Sequence, residues 1–443
     1  MQKSKRLNLI ELMKEKEILV HNDRAKLFQY IELKGIWKEV GAFEARAIIR
    51  EFGLQNGEIE IDYADCEYIR RELSESVELY IAELNSFEYS EWIVVQNGRL
   101  NLKTGELSPH DKKKYDTVAL NFKYVSDASI NYHSNTANFL KTSLGVNNFN
   151  PRESKTLAIF YQCLGYSLSN LPNLKKMPIL LGAPNSGKSV ILKLCAKIME
   201  SKKIRSLSLQ DCTNKFRLGL LDGAQLVICH EVRLGQLKRL DIVKSIISGD
   251  PITIEAKGVQ PWTYFPKVKL LMAANALPTL GEIDVGGAFV ERLIIVPFIE
   301  HSGENDIELL DKLYSERDML FSVIFDEMNY FINHGMKFEE EEFGKMLLSE
   351  YKINGNSLNG FLNERYEKGS NDDYVSTVAL YEEYKNYCKE NVLPACSDKQ
   401  FISQILQLGY KVGKKRQKQG TRKIGNPLSS VLNLKPRTIS LKN

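Results

Sequence analysis

From Gly182 to Ser189 the chain reads Gly-Ala-Pro-Asn-Ser-Gly-Lys-Ser, and no other stretch restricts the fold as tightly. The spacing satisfies G-x-x-x-x-G-K-[ST]. Gly182 and Gly187 let the backbone curl so that N–H groups converge on one point with no Cβ in the way. Ala183, Pro184, Asn185 and Ser186 fill the loop between them. Such a loop cradles the phosphates of a nucleoside triphosphate. Lys188 reaches the β- and γ-phosphates, Ser189 offers its hydroxyl to Mg²⁺, and the following helix turns its positive end toward the anion. The flanks agree. Met177 to Leu181 is an apolar strand, and Val190, Ile191, Leu194, Cys195 and Ile198 recur on one helical face. Strand, loop and helix in that order call for a parallel α/β layer, and strand and helix patterns alternate from 176 to 300. ATP with Mg²⁺ is the expected ligand.

Hydrolysis needs an acid at the end of a neighbouring buried strand. Leu226 to Cys229 is such a strand and His230-Glu231 follows it. Glu231 is therefore the candidate to polarise the attacking water and to stand beside the metal. His230 occupies the place where many such sites carry a second acid, and it is as readily a structural residue. A third apolar strand, Val268 to Ala273, leads to Asn275. This amide suits orientation of the lytic water and sensing of the γ-phosphate, or simply a turn at a strand end. Arg292 follows Gly286-Gly287 and precedes the apolar run Leu293 to Val296. It reads either as an ordinary ion-pair residue or as a cation serving a neighbouring subunit's nucleotide.

Between Asp250 and Pro266 the pattern gives a hairpin: strand Ile252 to Ala256, turn Lys257-Gly258, strand Trp262 to Phe265. Lys257 at the tip is placed for a phosphate contact or for solvent. Trp262 is placed to pack beneath the hairpin or to stack on a base. Elsewhere residues 1–90 read as mostly helical, with Tyr30, Ile31 and Leu33 in a broken helical period. Trp92 to Leu102 forms a small hairpin around Asn97-Gly98. Helical patterns occupy 134–170 and 305–352. In the last module, Val378 to Cys388 is a helix. Ser397 to Gln400 fits a capping box that opens a second helix, and Tyr410 to Val412 leads into a basic loop from Lys414 to Lys423. Two helices, a strand and a basic loop match a winged-helix layout. Lys399, Gln400, Ser403 and Gln404 then face a major groove, and Lys414, Lys415, Arg416 and Lys418 face phosphates. The expected class is multidomain α/β, with an N-terminal domain at 1–150, the ATPase at 151–355 and a winged-helix-like domain at 356–443.

Charge supports a polyanion partner. From Lys399 to the end there are eleven Lys or Arg and no Asp or Glu, which leaves about −7 on the rest of a chain whose total is +4. No apolar run reaches the roughly 18 residues of a membrane span. The basic N-terminus runs into Glu11, Glu15 and Glu17 rather than a signal-peptide core, so the expected location is cytoplasmic. Seven scattered cysteines, with no Cys-x-x-Cys pair, read as small buried residues rather than a disulfide or zinc framework.

The ordered set of phosphate loop, Glu231, Asn275 and Arg292 resembles the superfamily 3 AAA+ helicases. Within them it is most similar to the phage, plasmid and poxvirus primase-helicases, on the side of the initiator-helicases of staphylococcal pathogenicity islands and related mobile elements. The stretch Asn97-Gly98 to Pro109-His110 is similar to the hairpin module that precedes the motor in that family. Ser248 to Thr253 with Phe265-Pro266 and Lys269-Leu270 is similar to its region before the sensor strand. The resemblance implies a hexameric ring that moves on single-stranded DNA through channel hairpins, with origin duplex held by the C-terminal domain. Lys188 and Ser189 would bind Mg-ATP, Glu231 would be catalytic, Asn275 sensor 1, and Arg292 an arginine finger in trans. The first 150 residues hold no acidic pair suited to primer synthesis, so primase activity is not carried over. The rival reading is a DNA-bound ATPase switch that remodels a nucleoprotein complex without unwinding.

Overall fold

The apolar runs beginning at Met177, Leu226, Lys269 and Leu293 become neighbours in one five-stranded sheet. Its order is Leu293–Phe298, Met177–Gly182, Lys269–Ala274, Leu226–Cys229, Ile204–Ser206. The computed structural model describes residues 3–57, 61–85, 89–199, 201–214, 217–229, 237, 239–256, 259–278, 280, 287–299, 306–354, 357–370, 372–390, 395–419 and 422–437. Pairing is parallel from Met177–Gly182 through to Ile204–Ser206, with Ile179 level with Met272 and Met272 level with Cys229. Every residue of Leu226–Cys229 and Lys269–Ala274 is buried. A parallel sheet covered on both faces demands such unbroken apolar strands. Helix Lys188–Ile198 follows the first of them, and helices Lys155–Leu168 and Arg317–Asn333 share the same core. The chain divides into two compact units. One comprises residues 1–232, 245–276 and 294–341, the other 233–244, 277–293 and 342–443. Among the described residues no helix is long and apolar enough to cross a membrane.

The N-terminal segment departs from the mostly helical expectation. Helices Lys3–Glu15, Ala42–Gln55 and Tyr63–Glu75 form, but Val20–His21, Leu27–Ile31 and Ile36–Val40 make a three-stranded antiparallel sheet. Tyr30 and Ile31 thus lie in a strand, and Leu33 in the turn. Short apolar runs fit either period, and the breaker decides between them. Gly35 takes φ +65° and donates its N–H to Ile31 O at 2.9 Å, closing a turn that no helix passes. Buried Trp37 stacks 5.9 Å from Tyr115 and donates Nε1–H to Lys112 O at 2.9 Å. These bonds seat the small sheet on the next one, where Trp92–Val95 pairs with Gly98–Asn101 on one side and Ala119–Leu120 on the other.

The most deeply buried lysine among the described residues sits in this unit. Lys269 is 3% exposed, and its ammonium donates to Leu171 O at 2.6 Å and to Asn173 Oδ1, with the Tyr166 ring 4.9 Å away. Burial pushes its pKa from 10.5 down to about 7. Between those values the unfolded chain binds the extra proton, so this lysine makes stability rise with pH. The thermal midpoint of wild type is expected to climb between pH 7 and 9 relative to Lys269→Met, measured by circular dichroism. Parallel pH profiles for the two proteins would remove Lys269 as the cause.

In the second unit, Leu358, Phe361, Leu380, Tyr384, Phe401, Ile405 and Val431 form a separate core. Helices Ser357–Arg365, Thr377–Glu390 and Asp398–Gln407 surround a sheet in which Arg422–Leu432 lies between Tyr374–Ser376 and Lys411–Gln419. The expected basic loop from Lys414 to Lys423 is instead largely strand. Lys414 pairs with Ser429 and Gln419 with Arg422. A charged run carries no apolar period and so reads as loop, yet a hairpin accepts it because alternate side chains leave the sheet on opposite faces.

Candidate nucleotide site

The turn between strand Met177–Gly182 and helix Lys188–Ile198 is built by left-handed backbone at Asn185 (φ +62°) and Gly187 (φ +93°). A Cβ at Gly187 would lie 2.6 Å from Ser143 Oγ and 2.7 Å from the Phe139 ring. A Cβ at Gly182 would lie 2.1 Å from the carbonyl oxygen of Phe298 on the adjacent strand. Gly187 therefore requires glycine for backbone shape and for room, and Gly182 for room. Lys188 is 6% exposed, and its Nζ donates to Gly182 O at 2.8 Å, Ala183 O at 2.6 Å and Ser186 Oγ at 3.0 Å. These bonds hold the ammonium in the hollow of the loop, at the N-terminus of a helix whose first N–H groups have no intrahelical partner.

A cavity of about 560 Å³ opens over this loop. Residues 184–190 form its floor, and Ala273, Ala274 and Asn275 form one side. That volume suits a nucleotide-sized ligand, and its place at the carboxyl ends of parallel strands is where open α/β sheets bind ligands. Ala274 is level with Leu181, which brings Asn275 beside the phosphate loop. The opposite wall was not legible in the sequence. It consists of Asn138, Phe139, Thr142 and Ser143 from helix Asn135–Leu144, with Asp306 and Leu309. That helix is fixed by Ser134, whose Oγ accepts the Ala137 N–H at 3.0 Å. Glu316 also holds it, accepting from Asn135 N at 2.9 Å and Thr136 N at 2.8 Å. The sequence signal for this wall is the helical pattern over 134–170, which marks a helix, not a ligand.

The remaining candidates are placed as follows. Strand Leu226–Cys229 ends just before His230 and Glu231, which both lie outside the described residues. Arg292 closes the 3₁₀ turn Val290–Arg292 in the second unit, and its Nη1 donates to Ala288 O at 2.5 Å. The expected hairpin is present, with Ile252–Ala256 antiparallel to Val259–Tyr264, although the second strand starts three residues before Trp262. Lys257 lies outside the described residues. Trp262 stands opposite fully buried Ile254 with its Nε1 shielded from solvent, as packing beneath the hairpin requires.

In the second unit, Lys399 and Gln400 are exposed on the first turn of helix Asp398–Gln407. Gln400 Oε1 accepts from Ser397 N at 3.1 Å and Ser397 Oγ at 3.0 Å, which is the capping box. Gln404, expected beside them, is 4% exposed and lies on the core face with Phe401 and Ile405. Lys414 is exposed, the Lys415 ammonium sits 5.9 Å over the Tyr374 ring, and Arg416 and Lys418 follow in the same strand.

Comparison with known families matches residues 24–145 to the family described as D5 N terminal like, and residues 180–286 to a family of unknown function, DUF5906. The two segments meet at the cavity. The first ends on the helix bearing Asn138 and Thr142, and the second contains the phosphate loop and Asn275. No curated protein matches the chain. Among solved structures it is similar to the apo structure of the NrS-1 C terminal region (305–718), at 11% identity over 98% of this chain and 100% of that one, with a TM-score of 0.48. It is also similar to the A form apo structure of the same region, at 10% identity over 96% and 99% of the two chains, with a TM-score of 0.47.

Proposed function

We propose that the chain is an ATP-driven DNA helicase and replication initiator of a mobile genetic element, working as a homo-oligomeric, hexameric ring in the cytoplasm. The observation that carries this reading is the shared cavity. Asn275 reaches the phosphate loop from a strand inserted between the loop's own strand and the one leading to Glu231. The D5 N terminal like match next to it supports a replication role. Backbone N–H groups of the loop and Lys188 bind the β- and γ-phosphates. The Ser189 hydroxyl, an oxygen donor on the cavity floor, fits Mg²⁺, with Glu231 as the acidic partner. Mg²⁺, when bound, neutralises charge on the phosphates. Asn275 orients the attacking water, Glu231 takes its proton, and Arg292 serves the nucleotide of the adjacent subunit. Lys257 pushes on single-stranded DNA. A winged-helix-like domain at 356–443 holds origin duplex through Lys399, Gln400, Lys414, Lys415, Arg416 and Lys418.

The test is ATP-dependent strand displacement on forked DNA by assembled protein, comparing wild type with Lys257→Ala. Displacement is expected in wild type and is expected to be lost in the variant, while ATP turnover stays within about threefold. Assembled wild-type protein that hydrolyses ATP on a fork without displacing a strand would instead be a remodelling switch.

A further inference from the structure

Helices Ala42–Gln55 and Tyr63–Glu75 gather three arginines on one carboxylate. Glu67 Oε2 accepts from Arg46 Nη1 and from Arg70 Nε, both at 3.0 Å, and Oε1 accepts from Arg70 Nη2 at 2.7 Å and Arg71 Nε at 3.3 Å. One acid satisfies one guanidinium, so about two positive charges stay unneutralised within hydrogen-bond reach of a single point. The arginines hold Glu67 down to about 2, Arg70 most strongly. Of the other acids of the helix, Glu75 lies one turn beyond Arg71 on the same face but forms no ion pair with it. At 3.6 residues per turn, Asp65 and Glu72 fall on the far side, and Asp65 is buried and bonded to Arg6 at 2.5 Å. Arg71 keeps 70% of its side chain exposed. The Arg46 guanidinium lies 4.8 Å over the ring of Tyr63, which is 63% exposed.

We propose that this cluster is a phosphate-binding patch, through which the N-terminal module grips the sugar-phosphate backbone of nucleic acid. It adds a contact to the DNA-directed reading above and rests on it. Forked guanidiniums match phosphate oxygens two at a time. Glu67 acts as a built-in competitor that gathers the arginines, and a phosphate supplies the negative charge the cluster lacks. The exposed tyrosine gives a stacking surface for an adjacent base, which favours nucleic acid over an acidic peptide.

The experiment is fluorescence anisotropy of labelled oligo-dT, and of a duplex of equal length, titrated with full-length protein across a salt series. Arg71→Ala is expected to weaken binding about fivefold at low salt and to lower the salt slope by about 0.7 on the single strand or 0.9 on duplex. The arm that moves identifies which form is held. Glu67→Gln is expected to tighten binding about threefold, because it removes the competing anion. A purely structural ion cluster predicts the reverse, a lower thermal midpoint with no gain in affinity. If Glu67→Gln does not fold, Arg71→Ala decides alone, since its exposed side chain bears little on stability. Unchanged affinity and slope in Arg71→Ala, or displacement of the DNA by poly-glutamate at equal charge concentration, overturns the patch. If Lys414→Ala with Lys415→Ala weakens binding while Arg71→Ala does not, the patch falls and the helicase reading stands. Absence of DNA binding in every form removes both.

Discussion

Replacing Lys188 by alanine is expected to lower ATP turnover by about 10²- to 10³-fold, the scale of losing one preorganised donor at a site of developing charge. The ammonium already lies inside the loop, bonded to two backbone carbonyls and one hydroxyl. A ligand therefore finds it in place, with little side-chain entropy left to lose. On the proposed reading, truncation removes the charge that meets the γ-phosphate, and it leaves the Gly182 and Ala183 carbonyls facing that same space. Nucleotide affinity should fall as well, read by fluorescent ATP-analogue binding, while the thermal midpoint changes little. Turnover within a few-fold of wild type would mean that this loop does not carry the phosphates.

Replacing Arg152 by alanine is expected to cost about 3 kcal/mol of stability, the lower end of the range for breaking a buried pair. Its guanidinium bonds the carboxylate of Glu327, whose side chain is 1% exposed, and stacks 3.4 Å from the Tyr330 ring centroid. Without the arginine, the buried Glu327 carboxylate is left to the Gln162 amide, which donates to it at 2.8 Å. Arg152 itself remains 32% exposed, and solvent screening sets the estimate at the low end. Glu327→Gln, which removes the charge and keeps an acceptor, should lose less. Urea unfolding of both variants is the measurement. A loss below about 1 kcal/mol in Arg152→Ala would show that the pair contributes nothing net.

The legible parts of the molecule were those whose chemistry is local. The loop from Gly182 to Ser189 is legible because Gly182, Gly187 and Lys188 belong to one turn between a strand and a helix, and the structure has that turn. Asn275 could be named from its place at the end of an apolar strand, and the structure brings it to the same cavity. The wall bearing Asn138 and Thr142 is far from the loop in sequence and has no motif of its own. The N-terminal sheet is not legible because Leu27 to Ile31 is too short to declare its period, and the left-handed turn at Gly35 alone separates strand from helix there. The basic hairpin is not legible because charge hides alternation. The arginine cluster was invisible for a third reason: Glu67 reaches Arg46 across two helices, 21 residues away.

The strand order also bears on how the chain is made. Among the described residues, strand Met177–Gly182 is flanked by Lys269–Ala274 and Leu293–Phe298, both translated after Leu226–Cys229. A nascent chain ending before Lys269 therefore holds this apolar strand with the N–H and C=O groups of both edges unpaired, the kind of surface that recruits other chains. Closing the sheet depends on pairings of long sequence separation, which form slowly. Fragments ending in the hairpin, before Lys269, are therefore expected to aggregate rather than fold, read by light scattering.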